Sequence, residues 1–177
     1  LGMVGAGEIG NYDDDSDRSV EAEKCRFYWP IIFQCVCEAH PWKCITRPAT
    51  LTADTAPAWG YSYAYRLPAD YIRMVSMDLP GRKYRRVGDL LHTNCSPARI
   101  FYVYHEPDAT KYDAGLVRCL YLNLAYELAF VLRQDPDLGN QIRGDLERFF
   151  LPVVRMTDAV AQGVQEISSS TLTEMFN

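Results

Sequence analysis

The spacing of apolar residues changes period twice along the chain. From about residue 14 to 40 the spacing is helical, with Val20, Phe27, Ile31 and Val36 as the apolar stripe and Arg18, Glu21 and Lys24 toward water. Asp14 to Asp17, with Ser16 among them, suit the start of that helix as cap and dipole partners. Pro30 inside the pattern predicts a kink or a fresh start, and His40-Pro41-Trp42 ends it. From 43 to about 106 the period falls to two. Residues 43–53 predict a strand interrupted at Pro48, hence an edge strand. Tyr61, Tyr63 and Tyr65 then alternate with Ser62, Ala64 and Arg66, which puts a row of rings on one strand face. Strands follow at 71–77 and 90–93. At 99–105, Ile100, Tyr102 and Tyr104 alternate with Phe101 and Val103. Helical spacing returns after Asp113, a predicted cap, with Leu116, Val117, Leu120, Leu124, Leu128, Val131 and Leu132 on one stripe. Ala125 and Ala129 leave room for a close neighbour helix. A turn over Asp135-Pro136-Asp137 and Gly139-Asn140 leads into a last helix, with Ile142, Leu146, Phe149, Phe150, Val153 and Val160 inward and a bend at Pro152.

Leu67-Pro68-Ala69-Asp70 separates the tyrosine strand from the next one. Pro68 has a fixed φ and no N–H for a ladder, and it holds Leu67 extended. Asp70 can close a tight turn by accepting from nearby backbone N–H groups. Leu67, Pro68 and Asp70 are therefore expected to form a structural corner. Arg82-Lys83-Tyr84-Arg85-Arg86 is the only basic run. It lies between the turn signals Pro80-Gly81 and Gly88-Asp89, so it is expected on an exposed hairpin loop.

These elements predict an α+β fold class: an antiparallel helical bundle, residues 11–42 and 113–163, with a small antiparallel β-sheet inserted at 43–108. The whole is one chain unit, 1–177. Residues 164–177 are expected to form a C-terminal docking tail. Its polar spacer, Ser168 to Thr171, cannot bury enough apolar area to fold alone. Its end carries Leu172, Met175 and Phe176 at i, i+3 and i+4, one face of a short helix.

Composition narrows the chemistry. At 48% hydrophobic the chain is ordinary globular protein, and 18 basic against 23 acidic residues, net −5, argues against nonspecific coating of nucleic acid. The start shows no basic-then-apolar signal pattern, no apolar run is expected to span a bilayer, and a few residues are expected to precede Leu1. Six cysteines, four of them crowded into 25–44, are expected as thiols in a reducing compartment, mostly buried as small hydrophobes. Gly5-Ala6-Gly7-Glu8-Ile9-Gly10 spells a dinucleotide fingerprint. It lacks the strand before and the helix after, and the acidic Asp13-Asp14-Asp15 follows it, so no nucleotide cofactor is expected. Cys35, Cys37, His40 and Cys44 are zinc-ligand types. Cys35 and Cys37 lie two apart on a helix, pointing to different faces, so no metal is expected either. His92 and His105 stand alone, as structural histidines, and no catalytic residues are expected.

The order of elements, a helix closing on His40-Pro41-Trp42, a sheet containing Tyr65-Arg66-Leu67-Pro68-Ala69-Asp70-Tyr71-Ile72-Arg73, then two helices, resembles the head-to-tail connector (adaptor) proteins of tailed bacteriophages, including the tail tubular protein A group. The Leu-Pro-Ala-Asp corner is the most specific match. Tyr84 to Gly88, Leu90-Leu91-His92-Thr93, Val103-Tyr104 and the Ala-rich helix around Leu124 to Ala129 are also similar, so that the likeness covers most of 1–160. The resemblance implies a non-enzymatic virion protein at the head–tail interface, assembled in the host cytoplasm. It implies a homo-oligomeric ring, usually dodecameric, between the portal protein and the tail nozzle or tube, lining the DNA channel with transient DNA contact and no membrane. Leu172, Met175 and Phe176 would then meet the portal or a neighbouring subunit, and Arg82, Lys83, Arg85 and Arg86 the tail or the channel. Two rivals remain on the residues alone: a nucleic-acid-binding regulator using 82–86, and a nucleotide-binding enzyme fragment using Gly5 to Gly10.

Overall fold

The structure, a computed structural model, describes residues 4–5, 17–54, 60–78 and 83–160. Helix α1, Val20–Ala39, starts at Ser19, whose hydroxyl accepts from the Ala22 N–H at 3.2 Å. The expected cap residue Ser16 lies outside the described residues, and the helix begins after 14–17 rather than within them. Pro30 remains inside the helix. The last turn of α1 is closed by Trp42, buried, whose indole N–H donates to the Val36 carbonyl at 2.9 Å. That bond satisfies one of the carbonyls a helix end leaves open. Helix α2, Ala114–Arg133, is capped by Asp113, which accepts from the Leu116 N–H at 2.7 Å. It ends at Gln134 in the left-handed region, φ 52°.

The expected long turn after α2 shrinks to Gln134 and Asp135. Asp135 caps α3, Pro136–Asp145, and Pro136 takes the first helical position, where its missing N–H costs nothing. Gly139 and Asn140 therefore lie in the helix, not in a turn. A π-helical turn, Leu146–Phe150, joins α3 to α4, Leu151–Val160. It sits just ahead of Pro152, whose ring cannot enter a regular helical ladder without disturbing the preceding turn.

Among the described residues, seven strands lie between α1 and α2: β1 Thr46–Thr50, β2 Thr52–Asp54, β3 Tyr63–Arg66, β4 Tyr71–Met77, β5 Tyr84–Val87, β6 Leu90–Thr93 and β7 Arg99–Tyr104. They form two antiparallel sheets, ordered β1-β7-β4 and β2-β3-β6-β5. Pro48 does lie on an edge strand, β1, where its missing donor is harmless. One core joins Phe33, Val36 and Cys37 of α1 and Leu116, Leu120 and Leu128 of α2 to Ile142, and reaches Ile72 of β4 and Val103 of β7. A second core joins Ile100 and Tyr102 of β7 to Tyr65 and Leu91 of the other sheet. The order of layers is thus helices, three-stranded sheet, four-stranded sheet.

This overturns the expected antiparallel helical bundle with a small inserted sheet. The fold is mixed α+β with two antiparallel sheets, and the strands are not an appendage. One face of the three-stranded sheet forms part of the helices' own core, while the other face encloses an independent core with the second sheet. The helical layer is centred on α2, which packs against both α1 and α3. Over its 20 residues α2 is long and apolar enough to cross a membrane, contrary to the expectation from sequence; 39% of that apolar stretch is buried against the rest of the fold.

The stripe expected for α1 is also corrected. Val36 is buried, with Cys25, Ile32, Phe33 and Cys37, but Val20, Phe27 and Ile31 are more than half exposed. At helical spacing these last three share the face opposite Val36, so α1 is apolar on two sides. Val117 of α2, expected inward, is 48% exposed, and Val153 of α4 is 59% exposed.

Two glycines of α3 test the packing. A Cβ on Gly139 would stand 2.5 Å from the Phe130 ring, whereas Gly144 has open space. Gly139→Ala is expected to destabilise by about 1–3 kcal/mol through overpacking. Gly144→Ala should stabilise by about 0.5–1 kcal/mol through helix entropy. Urea unfolding midpoints of the two variants, measured side by side, should move in opposite directions.

Candidate functional site

Residues 67–70 carry the chain from one sheet to the other. Leu67 is buried and its N–H donates to the Asp89 carbonyl at 2.9 Å, while the Tyr71 N–H donates to the Pro68 carbonyl at 3.0 Å and closes the turn. The Asp70 carboxylate does not serve that turn. It accepts from the Arg47 guanidinium of β1 and, at 3.2 Å, from the Tyr102 hydroxyl of β7. Arg47 Nε donates to the same hydroxyl at 2.8 Å, and its guanidinium lies 4.3 Å from the Tyr104 ring centre. Tyr71 stacks on Tyr102. Asp70 thus ties the corner to two strands of the three-stranded sheet, a role its sequence neighbours do not announce.

The basic run is a strand rather than a loop. Lys83 is exposed, and Tyr84, Arg85, Arg86 and Val87 form β5, exposed at every position, on an open edge of the four-stranded sheet. Gly88, at φ 59°, makes the tight turn to β6. Alternation sends Arg85 and Arg86 to opposite faces. Arg86 lies 4.9 Å from the Tyr71 ring centre, and with Leu67 and Pro68 it lines a cleft of about 430 Å³. The structure therefore brings Arg86 to the corner. Arg82 and the tail residues Leu172, Met175 and Phe176 lie outside the described residues.

A cavity of about 550 Å³ opens between α1 and the connection from β7 to α2. Trp29, Pro30 and Phe33 form one wall and Tyr112 and Leu124 the other, with His105 and Glu106 at the join. Glu106 is buried but fully engaged. It accepts from Lys111 Nζ at 2.7 Å, from the Asp108 N–H at 3.0 Å and from the Tyr104 hydroxyl at 2.8 Å. Those donors, Lys111 first, lower its pKa to about 2. The Tyr112 hydroxyl donates to the Glu106 carbonyl at 2.6 Å, and burial, with Cys37 nearby, pushes its pKa up to about 12. Nothing in the sequence singled out Glu106, because its donors are gathered from the end of β7 and from the irregular segment 108–111 that follows it.

The remaining candidates separate. Burial, with Cys44 nearby, raises the Cys37 thiol to about 12, and burial raises Cys44 to about 11. Cys35 is exposed, and no metal-ligating group of three or more is found among the described residues. Of the glycine fingerprint only Gly5 is described; the rest of it, Ala6 to Gly10, lies outside the described residues. His92, expected to be satisfied, is buried with its Nδ1 lacking a hydrogen-bond partner among the described residues. His105 is exposed, edge-on to Phe33 at 5.0 Å. Apolar side chains are also exposed on the helices: Val20, Phe27 and Ile31 of α1, Val117 and Tyr121 of α2, and Val153 and Met156 of α4.

Compared with known proteins, the chain matches no family model and no curated sequence.

Two outcomes are expected from this geometry. Asp70→Ala should cost about 1–2 kcal/mol, and a double-mutant cycle with Tyr102→Phe should show coupling above about 0.5 kcal/mol, because the two share one network. Glu106, held well below its unfolded value, contributes stability that is present above about pH 5 and is lost as the pH falls toward 2. Melting temperatures of Glu106→Gln and the parent should therefore differ at pH 7 and converge near pH 2.

Proposed function

We propose that this chain is a structural virion subunit, a head-to-tail adaptor that assembles as a ring of identical copies between portal and tail and surrounds the DNA channel. The observation that carries this reading is the helical layer, which presents large apolar side chains on its outer side after filling a core on its inner side. Phe27 and Ile31 lie one helical turn apart on α1 and are both more than half exposed, a pattern that suits a helix-to-helix contact between copies. The open basic edge of β5 offers a second, polar surface for the tail protein. Net charge of −5 suits a channel wall, since tight phosphate binding would hold DNA back. The Leu67–Asp70 corner, on which the resemblance to connector proteins is most specific, braces the sheet end from which β5 projects.

The test is assembly. Native mass spectrometry and electron imaging of the chain mixed with its portal should show rings. Phe27→Asp with Ile31→Asp should abolish them while leaving unfolding within about 0.5 kcal/mol of the parent, as surface changes do. A chain that stays monomeric beside the portal, or a double variant that assembles normally, would remove this reading. Binding to DNA that weakens steeply with salt would favour the regulator instead.

A further inference from the structure

We propose that the apolar groove between α1 and the β7–α2 connection is the seat of the C-terminal residues Leu172, Met175 and Phe176 of this same polypeptide, donated within one copy or from its neighbour. The groove has room, about 550 Å³, and its walls are rings and aliphatic carbons from Trp29, Pro30, Phe33, Tyr112 and Leu124. Its one carboxylate is no bait for a cation. Both oxygens of Glu106 already accept hydrogen bonds from Lys111, Tyr104 and the Asp108 backbone. Among the described residues no apolar side chain fills the groove, and apolar side chains are what the end of the chain carries.

The occupant is argued from length and pattern. Within residues 161–177, Leu172, Met175 and Phe176 are spaced to lie on one helical face, and the polar Ser168, Ser169, Ser170 and Thr171 set them apart from the apolar Val164 and Ile167 nearer α4. Leu172 lies 12 positions beyond Val160, the last residue of α4. Fully extended, that stretch reaches about 40 Å. A chain of this length folds to a radius of gyration of about 16 Å, so the triplet can reach the groove of its own copy or of a neighbour. α4 packs on the start of α2, with Val154 placed where a Cβ on Gly115 would meet it at 3.4 Å. A seat made of apolar walls and an anchor of three apolar side chains on a polar leash is the helix-in-groove mode of recognition. Covering the groove this way removes aromatic surface from water at little cost in polar groups. The fit of anchor to groove is the same whether or not the chain belongs to a phage particle.

The experiment uses the full chain with a benzophenone amino acid at position 176, irradiated and mapped by mass spectrometry. Cross-links should concentrate on peptides from 25–33 and 105–124, either within one chain or between two. Ala109→Trp fills the groove from its exposed rim, and Met175→Asp spoils the anchor; each should cut that cross-link at least tenfold with an unchanged melting temperature. Cross-links spread over other surfaces, or groove cross-links indifferent to both variants, would overturn the proposal. Ring assembly is read separately: groove cross-links without rings count against the adaptor reading alone, and rings without groove cross-links against this one alone.

Discussion

Strand β7 is the wall that both cores share, and its two faces must stay in register for either core to exist. Ile100 and Tyr102 point into the space between the sheets, and Val103 points into the helical core. A slip of one residue would exchange those faces and empty both cores at once. The register is held from both sides, by β1 from Thr46↔Val103 to Thr50↔Arg99 and by β4 from Tyr71↔Tyr104 to Met77↔Ile100. Tyr102 adds a polar lock. Its ring fills the second core while its hydroxyl bridges Arg47 of β1 and Asp70 at the start of β4. A β7 shifted along either neighbour would lose that bridge, so a polar contact at the edge of the core specifies what the apolar contacts alone would allow to slide.

The second constraint is that the chain must pass between the sheets without leaving buried backbone groups unpaired. It passes between β1 and β2 at Leu51, between β3 and β4 at 67–70, between β4 and β5 over 78–83, of which 79–82 lie outside the described residues, and between β6 and β7 at 94–98. Leu51, Leu67 and Ala98 are all buried members of the second core. The Leu51 N–H donates to the Ala98 carbonyl at 2.8 Å, so one crossing satisfies another, and the Leu67 N–H is met by Asp89 of the β5–β6 turn. Pro68 suits its place for the same reason. It follows a residue whose donor is used, and it brings no donor of its own to bury.

Periodicity made the elements legible and left their partners obscure. The helices after Asp113 and the strands at 71–77, 90–93 and 99–104 follow from apolar spacing because each has a core face repeated several times. Whether strands belong to one sheet or two is not a local property, and the switch at Leu51, a single residue, leaves no trace in the pattern. In α1, Val20, Phe27 and Ile31 form as good a stripe as Cys25, Ile32 and Val36, and only packing decides which is inside. β5 was hidden by its composition: a strand exposed on both faces has no alternation to read, so its arginines suggested a loop. The corner was legible in Pro68 and Leu67, but the partners of Asp70 lie 23 and 32 residues away. Glu106 and the groove beside it depend on donors from Tyr104, Asp108, Lys111 and Tyr112 and on two elements meeting, which spacing cannot announce.

The two-sided helices bear on how folding and association are divided. On α1, Ile32, Phe33, Val36 and Cys37 face a core that a single copy completes, so the outward Phe27 and Ile31 are not needed for the fold. Exposed apolar residues scattered singly mean little, but these repeat along one helix face, beside a groove whose wall begins at Trp29 and Pro30 of the same helix. The helix thus has a buried side, an outward side and a groove side, the outward set separate from the other two and Cys25 and Phe33 shared between core and groove. Changes on the buried side must alter stability, since they leave cavities in a packed core. Changes on the outward side or at the groove rim remove contact only with what arrives from outside. That separation lets association be altered without unfolding the chain, and it follows from the helical period that places Phe27 and Val36 on opposite sides of one helix.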